Sequence, residues 1–112
     1  MTGRGAAAEE TALRFLLGQG LQLRARNYRC RLGEIDLILE HGDTIVFVEV
    51  RQRRSLAYGG AAESIDARKR SRLVATARHF LAGRRCTPPC RFDAILVGPG
   101  GEVQWIRGAF GE

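Results

Sequence analysis

The chain has 112 residues, of which 45% are hydrophobic, enough for one domain with a buried core but not for two. No apolar run approaches the ~20 residues that a membrane span needs, and the N-terminus lacks the apolar stretch of a secretory signal. We therefore expect a cytoplasmic protein without membrane segments. The 18 basic residues exceed the 12 acidic ones, giving a net charge of +6, and every basic residue except Lys69 is arginine. This charge favours a polyanionic partner, most simply nucleic acid.

The first predicted element is a helix from about Gly5 to Leu17, after a short tail, Met1–Arg4, that we expect to be disordered. Glu9 lies in the centre of the helix's apolar arc. It either complements the positive end of the helix or faces a functional site as an additional acidic group. Glu10 points the other way and can pair with Arg14 four residues later.

Three strands are predicted next. Leu21–Arg26 alternates like a half-buried strand, and residues 27–32 form a basic connection into a hairpin. The hairpin strands are Gly33–Ile38 and Val46–Arg51, with a two-residue turn at Gly42-Asp43. Since these strands are apolar on both faces, we expect a sheet that is flanked by helices.

Carboxylates lie inside these apolar strands. The register that the turn sets places Asp36 opposite Glu49 and Glu34 opposite Arg51 on one face, and alternation places Ile35 on the other. Opposed Cβ atoms lie ~4.5–5.5 Å apart, so Asp36 and Glu49 could hold one hard cation between them. A carboxylate in a core needs a cation, a metal or hydrogen bonds beside it. The alternative is a surface hairpin with a polar face and a Glu34–Arg51 ion pair.

Asp66 is a good N-cap for a second helix that extends to about Ala82. The polar stripe of this helix is predicted to contain Lys69, Arg72, Thr76 and His79. Strands are predicted at 91–97 and 102–107, giving the order αβββαββ in a single α/β domain over residues 1–112. The cysteines have no zinc-site spacing, so we interpret them as reduced thiols: Cys30, Cys86 and Cys90.

Several of these segments together resemble a known family. They are, in chain order, Glu9, Arg26-Asn27, Gly33–Ile38, Val46–Arg51, Lys69 and Arg91-Phe92-Asp93. In this order, across nearly the whole chain, they resemble the YraN family, whose members are assigned as endonucleases by similarity. That family is similar to archaeal Holliday-junction resolvases and to the wider restriction-endonuclease-like fold, in which an acid on one strand precedes Glu-x-Lys on the next.

The resemblance implies a restriction-endonuclease-like domain with a mixed central sheet, and hydrolysis of phosphodiester bonds in DNA, including branched DNA. It implies Asp36 and Glu49 as ligands of Mg²⁺ or Mn²⁺, the Val50 carbonyl as a further ligand and Glu9 as an accessory acid. Arg51 stands in the position of the usual lysine. Because arginine stays protonated, its role there would be electrostatic.

The basic residues around this site are candidates for contacts with a phosphate backbone. Lys69 is either a further phosphate contact or a solvated helix position. Similarity to the resolvases also leaves a homodimer open. The alternative function is a non-catalytic nucleic-acid-binding adaptor that retains the nuclease fold, and a third class is an assembly protein with an acidic partner. The flanking candidates are Arg29, Arg31, Arg53 and Arg54.

Overall fold

The computed structural model describes residues 4–53 and 66–110. Arg54 with the following loop, and residues 1–3 of the predicted tail, lie outside the described residues. The helices are α1 (Arg4–Gly18) and α2 (Ala67–Leu81). The strands are β1 (Gln22–Cys30), β2 (Gly33–His41), β3 (Thr44–Gln52), β4 (Cys90–Val97) and β5 (Val103–Phe110). The predicted order αβββαββ is confirmed.

The strands form one sheet in the order β1-β2-β3-β4-β5. The pairing of β3 with β4 is parallel and the other pairings are antiparallel, so the sheet is mixed. The two parallel strands are joined through the connection that contains α2, because a tight turn cannot link parallel neighbours.

The core lies in two layers, one on each face of the sheet. On one face, α1 packs Ala12 and Leu16 against Leu37, Val48 and Ile95. On the other face, α2 contributes a second cluster, formed by Leu73 and Ala77 with Ile38, Ile45, Phe47 and Phe92. Helices thus cover both faces, as the strands that are apolar on both faces predict. Each large side chain that is buried in these layers contributes roughly 1.5–3 kcal/mol to the free energy of folding.

The hairpin has the predicted register. Its pairs begin at His41 with Thr44 and end at Leu37 with Val48, and Gly42 supplies the positive φ (65°) that the turn requires. Beyond Leu37, the strands no longer pair in this ladder, so the predicted pairs of Asp36 with Glu49 and of Glu34 with Arg51 are not formed.

The pairing of β2 is also irregular on its other side, toward β1. The register is the same at Arg26 with Leu37 and at Tyr28 with Ile35, but the intervening Asn27 and Asp36 do not pair, and Asn27 has a left-handed φ of 50°. Ile35 packs in the α2 cluster beside Ile38, whereas Leu37 packs in the α1 cluster, so alternation in β2 is broken around Asp36 and the predicted face of Ile35 is wrong. Asp36 lies where pairing with both neighbouring strands is interrupted.

β1 is longer than predicted. The sequence predicts a connection over residues 27–32, but the strand continues to Cys30 and a short turn at Arg31-Leu32 follows. β1 is an edge strand with mostly exposed side chains, including Arg26 and Arg29. It therefore lacks the apolar pattern that would reveal its full length.

α2 begins as predicted and packs closely on β2. The carboxylate of Asp66 accepts a hydrogen bond from the Lys69 backbone N–H at 2.9 Å, which caps the helix. Thr76, which is predicted on the polar stripe, is instead fully buried against Gly33. Its hydroxyl donates to the Arg72 carbonyl at 2.8 Å, which satisfies the buried group. A Cβ at Gly33 would lie 2.8 Å from Thr76 Oγ1.

The cysteines are free thiols in the structure, as predicted. Neither helix in the described ranges combines the length and the apolar character that crossing a bilayer requires.

Candidate functional site

A cleft of about 780 Å³ lies between α2 and the turn that joins β1 to β2. Charged side chains dominate its lining, and Leu32, Leu73, Cys30 and Gly33 complete it. The acidic residues are Glu34, Asp36 and Glu49, and the basic residues are Arg29, Arg31, Lys69 and Arg72. The cleft therefore combines clustered carboxylates with surrounding cations.

Glu49 is the most deeply buried acid of the cleft, at 5% exposure. Its Oε2 atom lies 2.9 Å from Lys69 Nζ and 3.6 Å from Arg51 Nη2. Two cations from different elements, α2 and β3, thus neutralise one buried carboxylate, which would otherwise be costly to desolvate.

Asp36 shares the cleft with Glu49, and its Oδ2 accepts the Val50 backbone N–H at 2.8 Å. Burial, and secondly the charge of Glu49, raise the pKa of Asp36 to about 7. The Glu9 carboxylate adds to this rise, whereas the Val50 N–H and the Lys69 ammonium oppose it. Asp36 and Glu49 therefore repel each other, as expected for two carboxylates that face one site.

Glu9 approaches this region from α1. Its Oε1 and Oε2 atoms accept hydrogen bonds from Asn27 Nδ2 at 3.0 and 3.2 Å. The Asn27 side chain thus links β1 to α1. The predicted Glu10–Arg14 pair is present at 3.1 Å, so the two neighbouring glutamates have different surroundings.

The alternative of a surface hairpin with a Glu34–Arg51 pair is wrong. Glu34 lies 3.7 Å from Arg29, because it pairs with β1 beyond the end of the β2–β3 ladder. Arg51 instead lies beside Glu49, which is buried in a strand that helices cover.

The predicted phosphate contacts divide into three groups. Arg29, Arg31 and Lys69 line the cleft. Arg53 does not belong to its lining, since its Nη1 donates to Gln104 Oε1 on β5 at 3.2 Å. Arg54 lies outside the described residues.

Arg72 is a cleft cation that the sequence reasoning did not include among the phosphate contacts. The signal for it was its spacing. Lys69 and Arg72 are three residues apart, so they lie on the same helical face, and both reach the cleft.

Oxygen atoms dominate the candidate metal site. No group of three His, Cys, Asp or Glu residues that could hold a metal occurs within residues 4–53 and 66–110. However, Mg²⁺ is usually held by one or two carboxylates, with waters and substrate phosphates completing its shell. Asp36 and Glu49 fit this donor set, since their mutual repulsion is a cost that a cation would remove. Val50 stays a predicted carbonyl ligand.

The fold and the cleft define a class of small α/β proteins with a mixed sheet, helices on both faces and paired carboxylates beside cations. Residues 8–97 match the model of the uncharacterised protein family UPF0102. The chain therefore belongs to UPF0102, and the resemblance to YraN proteins is confirmed.

Relatives match almost the whole chain. The UPF0102 protein NE0719 of Nitrosomonas europaea is 56% identical over 111 residues, which cover 97% of this chain and 94% of the relative. The UPF0102 protein of Methylobacillus flagellatus is 55% identical, with 95% of each chain covered. The UPF0102 protein of Paracidovorax citrulli is 57% identical over 95% of this chain and 81% of its own. These family names specify no activity.

Proposed function

We propose that this protein is a metal-dependent endonuclease that hydrolyses phosphodiester bonds in DNA, with Asp36 and Glu49 as the ligands of Mg²⁺ or Mn²⁺. The observation that carries the proposal is the shared cleft, in which two carboxylates from neighbouring strands face cations from β1 and α2. A phosphate that enters such a cleft meets cationic side chains and the metal-holding acids together.

The residues of the site would have separate roles in this reaction. Asp36 and Glu49 hold the ion, and the Val50 carbonyl is a further candidate ligand. A bound Mg²⁺ would polarise the phosphate and orient a water. In the overall reaction, the hydroxyl group of water joins phosphorus, the bond to the leaving sugar oxygen breaks, and the remaining proton ends on that oxygen.

The arginines of the cleft would position the substrate. Arg29, Arg31 and Arg72 present planar guanidinium groups that can donate two hydrogen bonds to one phosphate. Such contacts fix the backbone without reading bases. Glu9 would act at a distance, since it contacts Asn27 and raises the pKa of Asp36.

A second candidate is a non-catalytic DNA-binding adaptor. Lys69 lies 2.9 Å from Glu49, and this ion pair is also what a purely structural carboxylate would need. In that case, the arginines of the cleft still bind DNA, but Asp36 and Glu49 have no part in catalysis.

The deciding experiment is cleavage of labelled four-way-junction, flap, single-stranded and duplex DNA with Mn²⁺ or Mg²⁺. Wild type is compared with Asp36→Asn and with Asp43→Asn, a change in the exposed hairpin turn. We expect wild type and Asp43→Asn to cleave, and Asp36→Asn to be at least about 100-fold slower while still binding DNA.

Each other result has a defined meaning. Equal cleavage by all three proteins would indicate a contaminating nuclease or a misplaced site. DNA binding without cleavage would favour the adaptor. Failure to bind DNA even at low salt would favour the assembly protein with an acidic partner.

A further inference from the structure

Two cationic side chains, Arg51 and Lys69, lie beside Glu49 and are candidates for the catalytic cation of this site. The family pattern places it two residues after Glu49, at Arg51. In the structure, however, Lys69 Nζ is the nearer group, at 2.9 Å from Glu49 Oε2 against 3.6 Å for Arg51 Nη2. The sole lysine of the chain thus contacts the buried carboxylate from a different element.

Access to the cleft separates the two cations further. The two side chains are similarly exposed, 38% for Lys69 and 33% for Arg51, but Lys69 lines the cleft together with Asp36 and Glu49. Arg51 is not among the described residues that line the cleft. A water or a phosphate that enters the cleft therefore meets Lys69.

The helix holds Lys69 in this place. Asp66 caps the backbone N–H of Lys69 at 2.9 Å, and Leu73, one turn later, is buried in the core. The cap and the buried Leu73 therefore fix the start of α2 where the Lys69 side chain reaches Glu49.

We propose that Lys69, rather than Arg51, is the catalytic cation of this site. This inference rests on the proposed nuclease function. An ammonium group has three donors. One donor contacts Glu49, and the other two can donate to the attacking water and to a non-bridging oxygen of the scissile phosphate. Arg51 then supports Glu49 from the side of the strand.

The test compares single-turnover cleavage rates at saturating protein, with Mn²⁺, for Lys69→Gln, Arg51→Gln and Arg68→Gln. Arg68 is an exposed cation of the same helical turn and is the matched control. We expect Lys69→Gln to be at least about 100-fold slower, Arg51→Gln less than about tenfold slower, and Arg68→Gln unchanged. DNA affinity in Ca²⁺ should fall by at most about tenfold for Lys69→Gln, as expected for the loss of one phosphate contact, so the loss of rate should exceed the loss of affinity.

A second variant tests whether slow cleavage by Lys69→Gln results from a folding defect. Lys69→Arg keeps a cation beside Glu49, so the fold should persist. We expect it to remain at least about tenfold slower than wild type, because a planar guanidinium does not replace a compact ammonium. Wild-type rates for this variant would overturn a lysine-specific role.

A readout independent of activity uses the fact that Lys69 is the only lysine. Reductive ¹³C-methylation labels only its Nζ and the α-amino group, so Lys69 gives one assignable NMR signal. This signal should shift when a short DNA oligonucleotide is added with Ca²⁺, and an unchanged signal would overturn contact with substrate.

The outcomes of the rate test also separate the two proposals. If Asp36→Asn is inactive but Lys69→Gln cleaves like Arg68→Gln, the role of Lys69 is overturned and the nuclease stands. If Arg51→Gln alone abolishes cleavage, Arg51 is the catalytic cation. If wild type cleaves no substrate, both proposals fail.

Discussion

Asp36 carries the clearest electrostatic cost in the described part of the chain. Burial and the charge of Glu49 raise its pKa from 3.8 to about 7, so the folded protein holds this proton more tightly than the unfolded chain does. Between about pH 4 and 7, Asp36 ionises in the unfolded chain but stays protonated in the folded protein. Raising the pH in this range therefore favours the unfolded state and lowers the free energy of unfolding. Above that range, the ionised Asp36 is a persistent destabilising group.

Asp36→Asn should therefore stabilise the metal-free protein at high pH. At pH 8, with EDTA, we expect a gain of about 1–4 kcal/mol, where the upper limit corresponds to the whole pKa shift. The gain should shrink as the pH falls toward 4, because the wild-type side chain is then also neutral. Urea denaturation at several pH values measures it, with Asp43→Asn as the control. A difference that does not change with pH would contradict the raised pKa of Asp36.

The same repulsion predicts that a divalent cation stabilises the fold. Mn²⁺ at about 100 times its dissociation constant should add about 2.7 kcal/mol, or a rise of several degrees in the midpoint of thermal unfolding. The rise should be larger at pH 8 than at pH 6, since binding requires ionised Asp36. It should vanish in Asp36→Asn and Glu49→Gln. An equal rise in these variants would place the metal elsewhere.

At the scale of secondary-structure elements, the contact between α2 and β2 sets the shape of the cleft. Gly33 begins β2, lines the cleft and lies against Thr76 of α2. The absence of a side chain at Gly33 lets the helix approach closely, and this approach carries Lys69 toward Glu49. The electrostatics of the site thus depend on the packing of these two elements.

Gly33→Ala should separate the two elements. The added Cβ would lie 2.8 Å from Thr76 Oγ1, and the residue has a φ of +153°, so we expect a loss of about 1–3 kcal/mol in the free energy of unfolding. Urea denaturation measures the loss. Gly18→Ala, which meets nothing within 4 Å, should stay within about 0.5 kcal/mol of wild type.

A double variant identifies the cause. Thr76→Ala removes the atom that the new Cβ meets, so Gly33→Ala should cost less in that background than in wild type. An equal cost in both backgrounds would show that backbone strain, and not the contact with Thr76, is responsible.

Local chemistry explains which elements the sequence could predict. The turn at Gly42-Asp43 defined the hairpin register, and Asp66 defined the start of α2, because turn and capping residues act over a few neighbours. The face of Ile35 could not be predicted in this way. It depends on a break in the alternation of β2 around Asp36, where pairing with both neighbouring strands is interrupted, and such a local break has no periodic signal.

The candidate site shows the same division. Asp36 and Glu49 share the cleft, as their places in one hairpin predicted, although they do not form the predicted cross-strand pair. The contact between Lys69 and Glu49, the burial of Thr76 and the distance of Arg53 from the cleft all depend on how α2 and β5 pack on the sheet. Composition and spacing contain no information about these tertiary contacts.

At the scale of the whole molecule, DNA could bind either through the overall net charge of +6 or through the cations of the cleft. Four cations line the cleft: Arg29, Arg31, Lys69 and Arg72. Other cations are engaged elsewhere. Arg14, for example, pairs with Glu10 on α1. If binding is local, only the cleft cations should determine how DNA affinity depends on salt.

This dependence gives a direct prediction. Each phosphate neutralised on duplex DNA contributes about −0.9 to the slope of log affinity against log salt, so three or four cleft contacts imply a slope of about −3 to −4. Changing Arg29 and Arg31 together to glutamine should make the slope shallower by about 2, whereas Arg14→Gln should leave it unchanged. Fluorescence anisotropy with labelled DNA in Ca²⁺, from 50 to 300 mM salt, measures each slope. If Arg14→Gln makes the slope as much shallower per charge as the double variant does, DNA binds through the diffuse positive charge of the molecule, and the cleft is not its docking site.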